Sequence, residues 1–274
     1  MPELPEVETT RLGLLPHVAG RQIIAVMVRD YRLRWPIPAD IAVTLEGKTI
    51  ADITRRGKYL LFALNGGFLL SHLGMSGTLR AYATGAIPAV AKHDHVDILL
   101  SDGTLLRYAD PRRFGALLWI AGMQLSHPLL DSLGPEPLTD AAFSGDYLYE
   151  KSRNKIQSIK QFIMDGHVVV GVGNIYASES LFRAGIHPAR RAGRVSRARY
   201  VRLAEVIRET LQDALAAGGS SLRDYVGADG DNGYFQINAF TYAREGEPCR
   251  VCSAPIAHMR QGQRATFFCK ICQK

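Results

Sequence analysis

The spacing of apolar residues divides the chain into a first half rich in strands and a second half rich in helices. From residue 21 to about residue 122, apolar residues form short runs such as QIIAVMV, YLLFAL, FLLSHL, HVDILL and ALLWIA. Glycine-containing turn signals at residues 65–67 (NGG) and 102–103 (DG) separate several of these runs. Short apolar runs between such turns are typical of antiparallel strands. The pattern predicts an antiparallel β domain, folded as a sandwich.

A helix is predicted ahead of these strands. The segment EVETTRLGLLPHVAG, which follows Pro5, carries acidic residues in its first turn, where they interact favourably with the helix dipole. Val7, Leu12 and Leu15 follow a rough helical spacing, and Gly20 is a stop signal. We therefore expect a short N-terminal helix whose apolar face contains these three residues.

The second half of the chain begins after residues 133–140, LGPEPLTD, where a glycine and two prolines predict a domain boundary. Further along, the segment from Ser196 to residue 219 has a serine N-cap, apolar residues at helical spacing and a Gly-Gly end. The fold class expected from these patterns is α+β, with a β domain over residues 1–132 and a helical domain after it.

Composition narrows the classes of protein that the chain can belong to. Hydrophobic residues make up 47% of the 274 residues, and no apolar run approaches the roughly 20 residues that a membrane span needs. The start, MPELPEVETT, lacks the basic and apolar regions of a signal peptide, so we expect a cytosolic protein. The formal net charge of +7 suits a polyanionic partner such as nucleic acid, although an ordinary solvated basic surface fits it equally well.

The four cysteines form the most specific local motif. Cys249 and Cys252, then Cys269 and Cys272, make two Cys-x-x-Cys pairs separated by 16 residues. This spacing predicts one tetrahedral, structural zinc ion, with disulfides or a redox dithiol pair as the alternatives. The spacing favours a structural over a catalytic zinc ion because four thiolates leave no open position for water.

The segment between the two cysteine pairs forms a basic, hydrogen-bonding tip of a predicted hairpin. Such a tip suits contact with phosphates, but an ordinary solvated turn has the same composition, and spacing alone leaves both readings open. The polar residues of this tip are Arg260, Gln261, Gln263, Arg264 and Thr266.

Pro2 is a candidate nucleophile. The initiator methionine is ordinarily removed before a small second residue, which leaves a free secondary amine on proline. An α-amino group has a reference pKa of about 7.7–8.0, against about 10.4 for lysine, so far more of it is unprotonated at neutral pH. Glu3 and Glu6 flank the proline and suit proton transfer. The alternative is that both glutamates only interact with the helix dipole.

Motifs along the whole chain resemble those of bacterial formamidopyrimidine-DNA glycosylases. The N-terminal string MPELPEVET carries the resemblance first, and further matches follow in the family's order from residue 2 to residue 274. They are RRGKYLLF around Lys58, HLGMSG around Met75, HDHVD at 93–97, RYADPRRFG at 107–115, LGPEPL at 133–138, VVGVGNIYASESLFRAGI at 169–186, and the end, QRATFFCKICQK.

The resemblance implies a fold, an activity and a partner. The fold would be an N-terminal helix and β-sandwich, a helix-two-turn-helix domain over residues 133–238, and a zinc finger over residues 239–274. The activity would be excision of 8-oxoguanine and formamidopyrimidines from duplex DNA, followed by strand nicking through β- and δ-elimination. We would then expect a bacterial, nucleoid-associated monomer that holds one structural zinc ion and needs no protein partner.

The resemblance also assigns catalytic roles by motif position. Pro2 would form a Schiff base with the sugar, and Glu3 would donate a proton in glycosidic cleavage. Lys58 would be the donor for β-elimination and Arg264 the donor for δ-elimination. Glu6 would assist next to Glu3.

Two sets of DNA contacts are implied in the same way. Met75, Arg112 and Phe114 would fill the gap that an extruded base leaves in the duplex, since Met and Phe are apolar wedges and Arg can bond the orphaned base. A second set would hold phosphates, with Asn174 at a helix start that favours anions or simply as its N-cap. This set is His93, Arg112, Asn174, Lys160 and Arg264, with Lys155 as a further DNA contact.

The segment KSRNKIQSIK, residues 151–160, departs from the family's denser basic run, which is why Lys160 is preferred to Lys155. Residues 220–234 match the position of the family's base-recognition loop. Two other functions remain open from the sequence. One is an endonuclease VIII type of glycosylase that prefers oxidised pyrimidines, and the other is a non-catalytic zinc-finger protein that binds damaged DNA.

Overall fold

The computed structural model describes residues 2–219 and 239–274. They form two compact units. The first contains residues 2–131 with Gly218 and Gly219, and the second contains residues 132–217 with residues 239–274. None of the helices in the described ranges combines the length and the apolar character needed to cross a membrane.

The first unit is a β-sandwich with helices at its edges. One antiparallel sheet has the strand order β1-β6-β7-β5, and the other has the order β2-β3-β4-β8. The core contains buried side chains from both sheets and from the first helix. The elements are α1 (Leu4–Val18), β1 (Ile23–Val28), α2 (Ile41–Leu45), β2 (Ile50–Arg56), β3 (Tyr59–Leu64), β4 (Gly67–His72), β5 (Thr78–Tyr82), β6 (Asp94–Leu100), β7 (Leu105–Ala109), β8 (Ala116–Ala121) and α3 (Pro128–Asp131).

The N-terminal helix is confirmed, but its buried face differs from the expected one. Val7, Leu14 and Val18 are buried in the sandwich core, at spacings of seven and four residues that keep them on one side of the helix. Leu12 is 54% exposed, and Leu15 is only partly buried. The expectation was therefore wrong for Leu12, because that position lies on the side of α1 turned away from the core.

The second unit combines helices with the C-terminal hairpin. The predicted N-cap at Ser196 is confirmed, since its hydroxyl accepts a hydrogen bond from the N–H of Arg199. Phe182 packs with Cys249, Ile256 and Cys269, which joins the hairpin segment to the helices. The elements are α4 (Gly145–Ser152), α5 (Ile159–Ile163), α6 (Asn174–Arg183), a 3-10 turn (Ala192–Arg194), α7 (Arg197–Ala216), β9 (Ile256–Gln261) and β10 (Arg264–Cys269).

Candidate active site and zinc centre

The start of α1 buries two carboxylates beside Pro2. Glu3 is the N-cap residue, and its N–H donates to Glu6 Oε2 at 2.8 Å in a reciprocal capping box. Pro2 is buried, and Glu3 and Glu6 are 1% and 0% exposed. Gly219 has a φ of +85°, and a Cβ added to it would lie 3.3 Å from Glu6 Oε1. The capping box thus holds the two carboxylates that are candidates for proton transfer at the residues that follow the proposed nucleophile in the chain.

Lys58 lies in the tight turn between β2 and β3. The turn is held by Arg55, which donates to Glu8 Oε2 at 2.9 Å and to the carbonyl of Gly57 at 2.9 Å. No role was assigned to Arg55 from the sequence, because nothing local to it indicates a carboxylate 47 positions earlier in the chain. The partly buried Lys58 side chain therefore lies on a turn that these hydrogen bonds hold in place.

Two adjacent loops carry the residues proposed to fill the DNA gap. Met75 is partly buried in the turn after β4, whereas Arg112 and Phe114 are exposed in the loop between β7 and β8. The Arg112 guanidinium lies over the Phe114 ring, 5.0 Å from its centroid. Arg113, between them, has a φ of +57°, which is unusual for a residue other than glycine. Its guanidinium donates to Asp30 Oδ2 at 2.6 Å.

Asp110 is a second residue that sequence reasoning did not assign. It is completely buried, and it accepts hydrogen bonds from both of these loops. The available signal was its place in RYADPRRFG, because an aspartate followed by Pro-Arg-Arg is typical of a side chain that bonds its own turn. His93 is partly buried, and its carbonyl accepts the N–H of Asp110 at 3.1 Å.

In the second unit, Asn174 is the first residue of α6, and the N-cap residue is Gly173. The alternative reading of Asn174 as the N-cap is therefore wrong. Its Oδ1 atom is buried and accepts no hydrogen bond from the described residues. The N-terminus of a helix favours an anion because of the direction of the helix dipole, which supports the proposed phosphate contact at this position.

Lys160 does not have the exposure expected of a phosphate contact. It is 1% exposed, and its ammonium donates to the carbonyl of Ala265 at 3.1 Å and to Thr266 Oγ1 at 2.9 Å. The preference for Lys160 over Lys155 is therefore corrected, since Lys155 is exposed and Lys160 ties α5 to β10. Arg264 is exposed at the tip of the β9–β10 hairpin. The expected base-recognition loop, residues 220–234, lies outside the described residues.

The four cysteines converge on one point. Their Sγ atoms all lie within 4.8 Å of one another, with 3.4 Å between Cys252 and Cys269 and 3.9 Å between Cys249 and Cys272. A disulfide requires about 2.05 Å between sulfurs, whereas Zn–S bonds of about 2.3 Å place tetrahedral sulfurs about 3.8 Å apart. The thiols differ in their shifts: burial opposes ionisation of Cys269, but the N–H groups of Cys272 and Ile271 lower its pKa to about 7, whereas burial and the neighbouring thiols raise the pKa of Cys272. The geometry fits a four-thiolate zinc ion.

Comparison with known families covers most of the chain. The family model described as the formamidopyrimidine-DNA glycosylase N-terminal domain matches residues 1–117, and the one described as the H2TH domain of these enzymes matches residues 133–226. The chain belongs to the formamidopyrimidine-DNA glycosylase family. A third family model, described as a zinc finger found in FPG and IleRS, matches residues 246–274. The four cysteines accordingly hold one structural zinc ion.

Individual members of the formamidopyrimidine-DNA glycosylase family are similar over the full length. The enzyme of that name from Burkholderia multivorans is 55% identical over 277 residues, covering 100% of both chains. The crystal structure of MutM (Fpg) from Thermus thermophilus is 39% identical, with a TM-score of 0.88 over 99% of this chain and 98% of that one. A Lactococcus lactis Fpg mutant in complex with DNA containing Fapy-dG is 36% identical, with a TM-score of 0.91 over 100% of both chains.

Proposed function

We propose that this chain is a base-excision repair enzyme, a DNA glycosylase and AP lyase that removes 8-oxoguanine and formamidopyrimidines from duplex DNA. The observation that carries the proposal is the burial of Glu3 and Glu6 in a capping box beside Pro2. Family membership supports it, because the relatives are named formamidopyrimidine-DNA glycosylases and one solved neighbour binds Fapy-dG in DNA. The basic net charge of +7 fits the same partner.

The proposed reaction begins at Pro2. Once Met1 is removed, the secondary amine of Pro2 attacks C1′ of the sugar, and the bond from C1′ to the damaged base breaks as Glu3 donates a proton. The amine then loses its proton and the C1′–O4′ bond opens, with O4′ taking up a proton, which leaves an iminium ion at C1′. The iminium ion acidifies the C2′ hydrogen, whose loss expels the 3′ phosphate in β-elimination. Loss of a further proton expels the 5′ phosphate in δ-elimination. Lys58 and Arg264 serve these two eliminations as proton donors, and Glu6 holds the N–H of Glu3.

The remaining proposed residues act on the duplex. Met75, Arg112 and Phe114 occupy the gap left by the extruded nucleotide, and the exposure of Arg112 and Phe114 supports this role. The proposed phosphate contacts are now His93, Arg112, Asn174, Arg264 and Lys155, with Lys160 withdrawn because its ammonium is buried.

We further infer three functional domains, over residues 1–132, 133–238 and 239–274. The matches of the three family models, at 1–117, 133–226 and 246–274, support this division. The enzyme would act as a monomer in the bacterial cytoplasm, on nucleoid DNA, because one chain supplies every proposed catalytic residue.

Borohydride trapping tests the nucleophile. Incubated with a duplex containing 8-oxoguanine opposite cytosine, the protein should become covalently linked to DNA, and mass spectrometry should place the link on residue 2. The matched control is a form with a short extension ahead of Pro2, which turns the amine into an amide without changing any side chain. It should bind the same duplex without crosslinking, and Pro2→Gly should crosslink less. A link at a lysine, or intact DNA with no link, would contradict the proposal.

A substrate panel tests the base preference. The purine-directed activity predicts faster release of 8-oxoguanine than of thymine glycol from otherwise identical duplexes. The opposite order would assign the chain to oxidised pyrimidines, although trapping at Pro2 would be unchanged.

A further inference from the structure

Asp110 directly follows β7, and its carboxylate is completely buried. Oδ1 accepts hydrogen bonds from the Ser76 hydroxyl at 3.2 Å and from the N–H of Arg112 at 3.3 Å. Oδ2 accepts the N–H of Gly115 at 2.9 Å. Burial of a carboxylate is costly unless oriented donors satisfy it, so these bonds constrain the groups that donate them.

The donors belong to two different loops. Ser76 is next to Met75 in the turn after β4, whereas Arg112 and Gly115 flank Phe114 in the loop before β8. One carboxylate therefore sets the distance between the two loops that carry the proposed gap-filling side chains.

The backbones of these loops are also in close contact. Gly74 has a φ of +62°, and a Cβ added to it would lie 2.5 Å from the carbonyl carbon of Phe114 and 2.6 Å from the nitrogen of Gly115. There is therefore no room for a side chain at position 74, and the two backbones pack directly against each other, so a displacement of one loop would displace the other.

The main chain of Asp110 extends the same constraint to a proposed phosphate contact. Its N–H donates to the carbonyl of His93 at 3.1 Å, and its own carbonyl bonds Nε2 of the buried His95 at 2.8 Å. Through its main chain and its carboxylate, Asp110 thus connects the three segments that carry His93, Met75 and Phe114.

We propose that Asp110 is a positioning residue that holds the Met75 turn and the Arg112–Phe114 loop as one unit for insertion into the duplex. The inference rests on the proposed function, because it concerns how the gap left by the extruded base is filled. Asp110 does not touch the reacting atoms. Its effect is confined to steps in which the two loops must enter stacked DNA together.

The test is Asp110→Asn, which keeps the shape of the side chain but replaces one acceptor oxygen with a donor facing an N–H group. We expect excision of 8-oxoguanine from a duplex to fall about 10- to 100-fold, as for small misplacements of binding groups. Borohydride trapping on a single-stranded oligonucleotide with an abasic site needs no gap filling. The yield of trapped complex for Asp110→Asn on this substrate should stay within about two-fold of the yield for the unchanged protein.

A fluorescence measurement reports gap filling directly. With 2-aminopurine next to the lesion, binding of the unchanged protein should raise the fluorescence because the probe loses a stacked neighbour. At saturating protein the rise should be smaller with Asp110→Asn. Ser76→Ala, which removes one bond to the carboxylate and is the milder change, should shift both assays in the same direction by a smaller factor.

Asp97→Asn is the matched control for loss of a buried carboxylate. Asp97 lies in β6 of the same sandwich and is 7% exposed, with Arg107 and Arg29 as its partners. This variant should melt at a lower temperature but keep the ratio of duplex excision to single-strand trapping. The inference is overturned if Asp110→Asn keeps that ratio and the full fluorescence rise, or if Asp97→Asn alters both as strongly. Absence of trapping by the unchanged protein would contradict the proposed function instead, and the fluorescence comparison would still decide the role of Asp110.

Discussion

At the end of β4, His72 lies close enough to Lys58 for the ammonium charge to affect the pKa of the His72 ring. Burial lowers the pKa of His72 to about 4, and the positive charges of Lys58 and Arg34 act in the same direction. Its Nδ1 accepts the N–H of Gly74 at 3.0 Å, which a neutral imidazole can do. The ring is therefore uncharged at neutral pH and helps to hold the turn that carries Met75.

This lowered pKa predicts a pH dependence of stability. The unfolded chain protonates His72 near pH 6.5, whereas the folded protein resists protonation down to about pH 4. Above pH 6.5 the ring is neutral in both the folded and the unfolded chain, so it does not change the free energy of unfolding. As the pH falls from 6.5 towards 4, the free energy of unfolding decreases by up to about 3 kcal/mol. In His72→Asn, which keeps an acceptor for Gly74, the free energy of unfolding should fall less over this pH range. Urea unfolding at pH 7 and pH 4.5 measures the difference. An equal loss of stability in the variant and in the unchanged protein would refute the assignment.

At the scale of single elements, Lys160 connects α5 to β10. Because its ammonium bonds Ala265 and Thr266, it supports the strand that begins at Arg264. Its role in this structure is to place the hairpin, and any effect on DNA would act through Arg264.

Lys160→Met should therefore loosen the hairpin. The substitution removes the donor from two acceptors, and each loss should lower the free energy of unfolding by about 1–3 kcal/mol. Hydrogen exchange should quicken in β9 and β10, while the sandwich strands stay protected. Lys155→Met is the control, since Lys155 is exposed and its loss should leave exchange in the hairpin unchanged. Equal exchange in both variants would show that the two bonds do not hold β10.

Removal of zinc should destabilise the β9–β10 hairpin more strongly than Lys160→Met does. The finger buries few apolar side chains of its own, so metal ligation supplies much of the free energy that folds it. A chelator should release one zinc ion per chain, abolish exchange protection in β9 and β10, and eliminate binding to lesion-containing duplex. Protection in β2, β3 and β4 should persist. Survival of hairpin protection in the metal-free protein would mean that packing against Phe182 is sufficient to fold it.

At the scale of the whole molecule, the net charge of +7 makes association with DNA dependent on salt. Each neutralised phosphate contributes about −0.9 to the slope of log affinity against log salt. Arg112→Gln should therefore weaken binding and make the slope shallower by about one unit.

The control for this measurement is Arg202→Gln. Arg202 is exposed on α7 and pairs with Glu205 and Glu209, so it lies outside the proposed contacts. Its substitution should leave the slope unchanged. A slope that is the same for Arg112→Gln as for the unchanged protein would remove Arg112 from the phosphate contacts.

The sequence by itself determined the features that depend on near neighbours or on motif order. The zinc site follows from two Cys-x-x-Cys pairs, because each pair chelates from a single turn. The strands of the sandwich follow from short apolar runs between glycine turns, and the helix after Ser196 follows from its cap. The family follows from motifs that span the chain.

Only the tertiary structure decided the features that depend on distant partners. Lys160 is buried because Thr266, 106 positions away, provides its acceptor, and no local pattern contains that information. Leu12 is exposed because the core covers a different side of α1. Asp110 joins two loops because the fold brings Ser76, 34 positions earlier, to its carboxylate. Periodicity and motifs specify elements and chemistry, whereas burial and hydrogen-bond partners are set by how the elements pack.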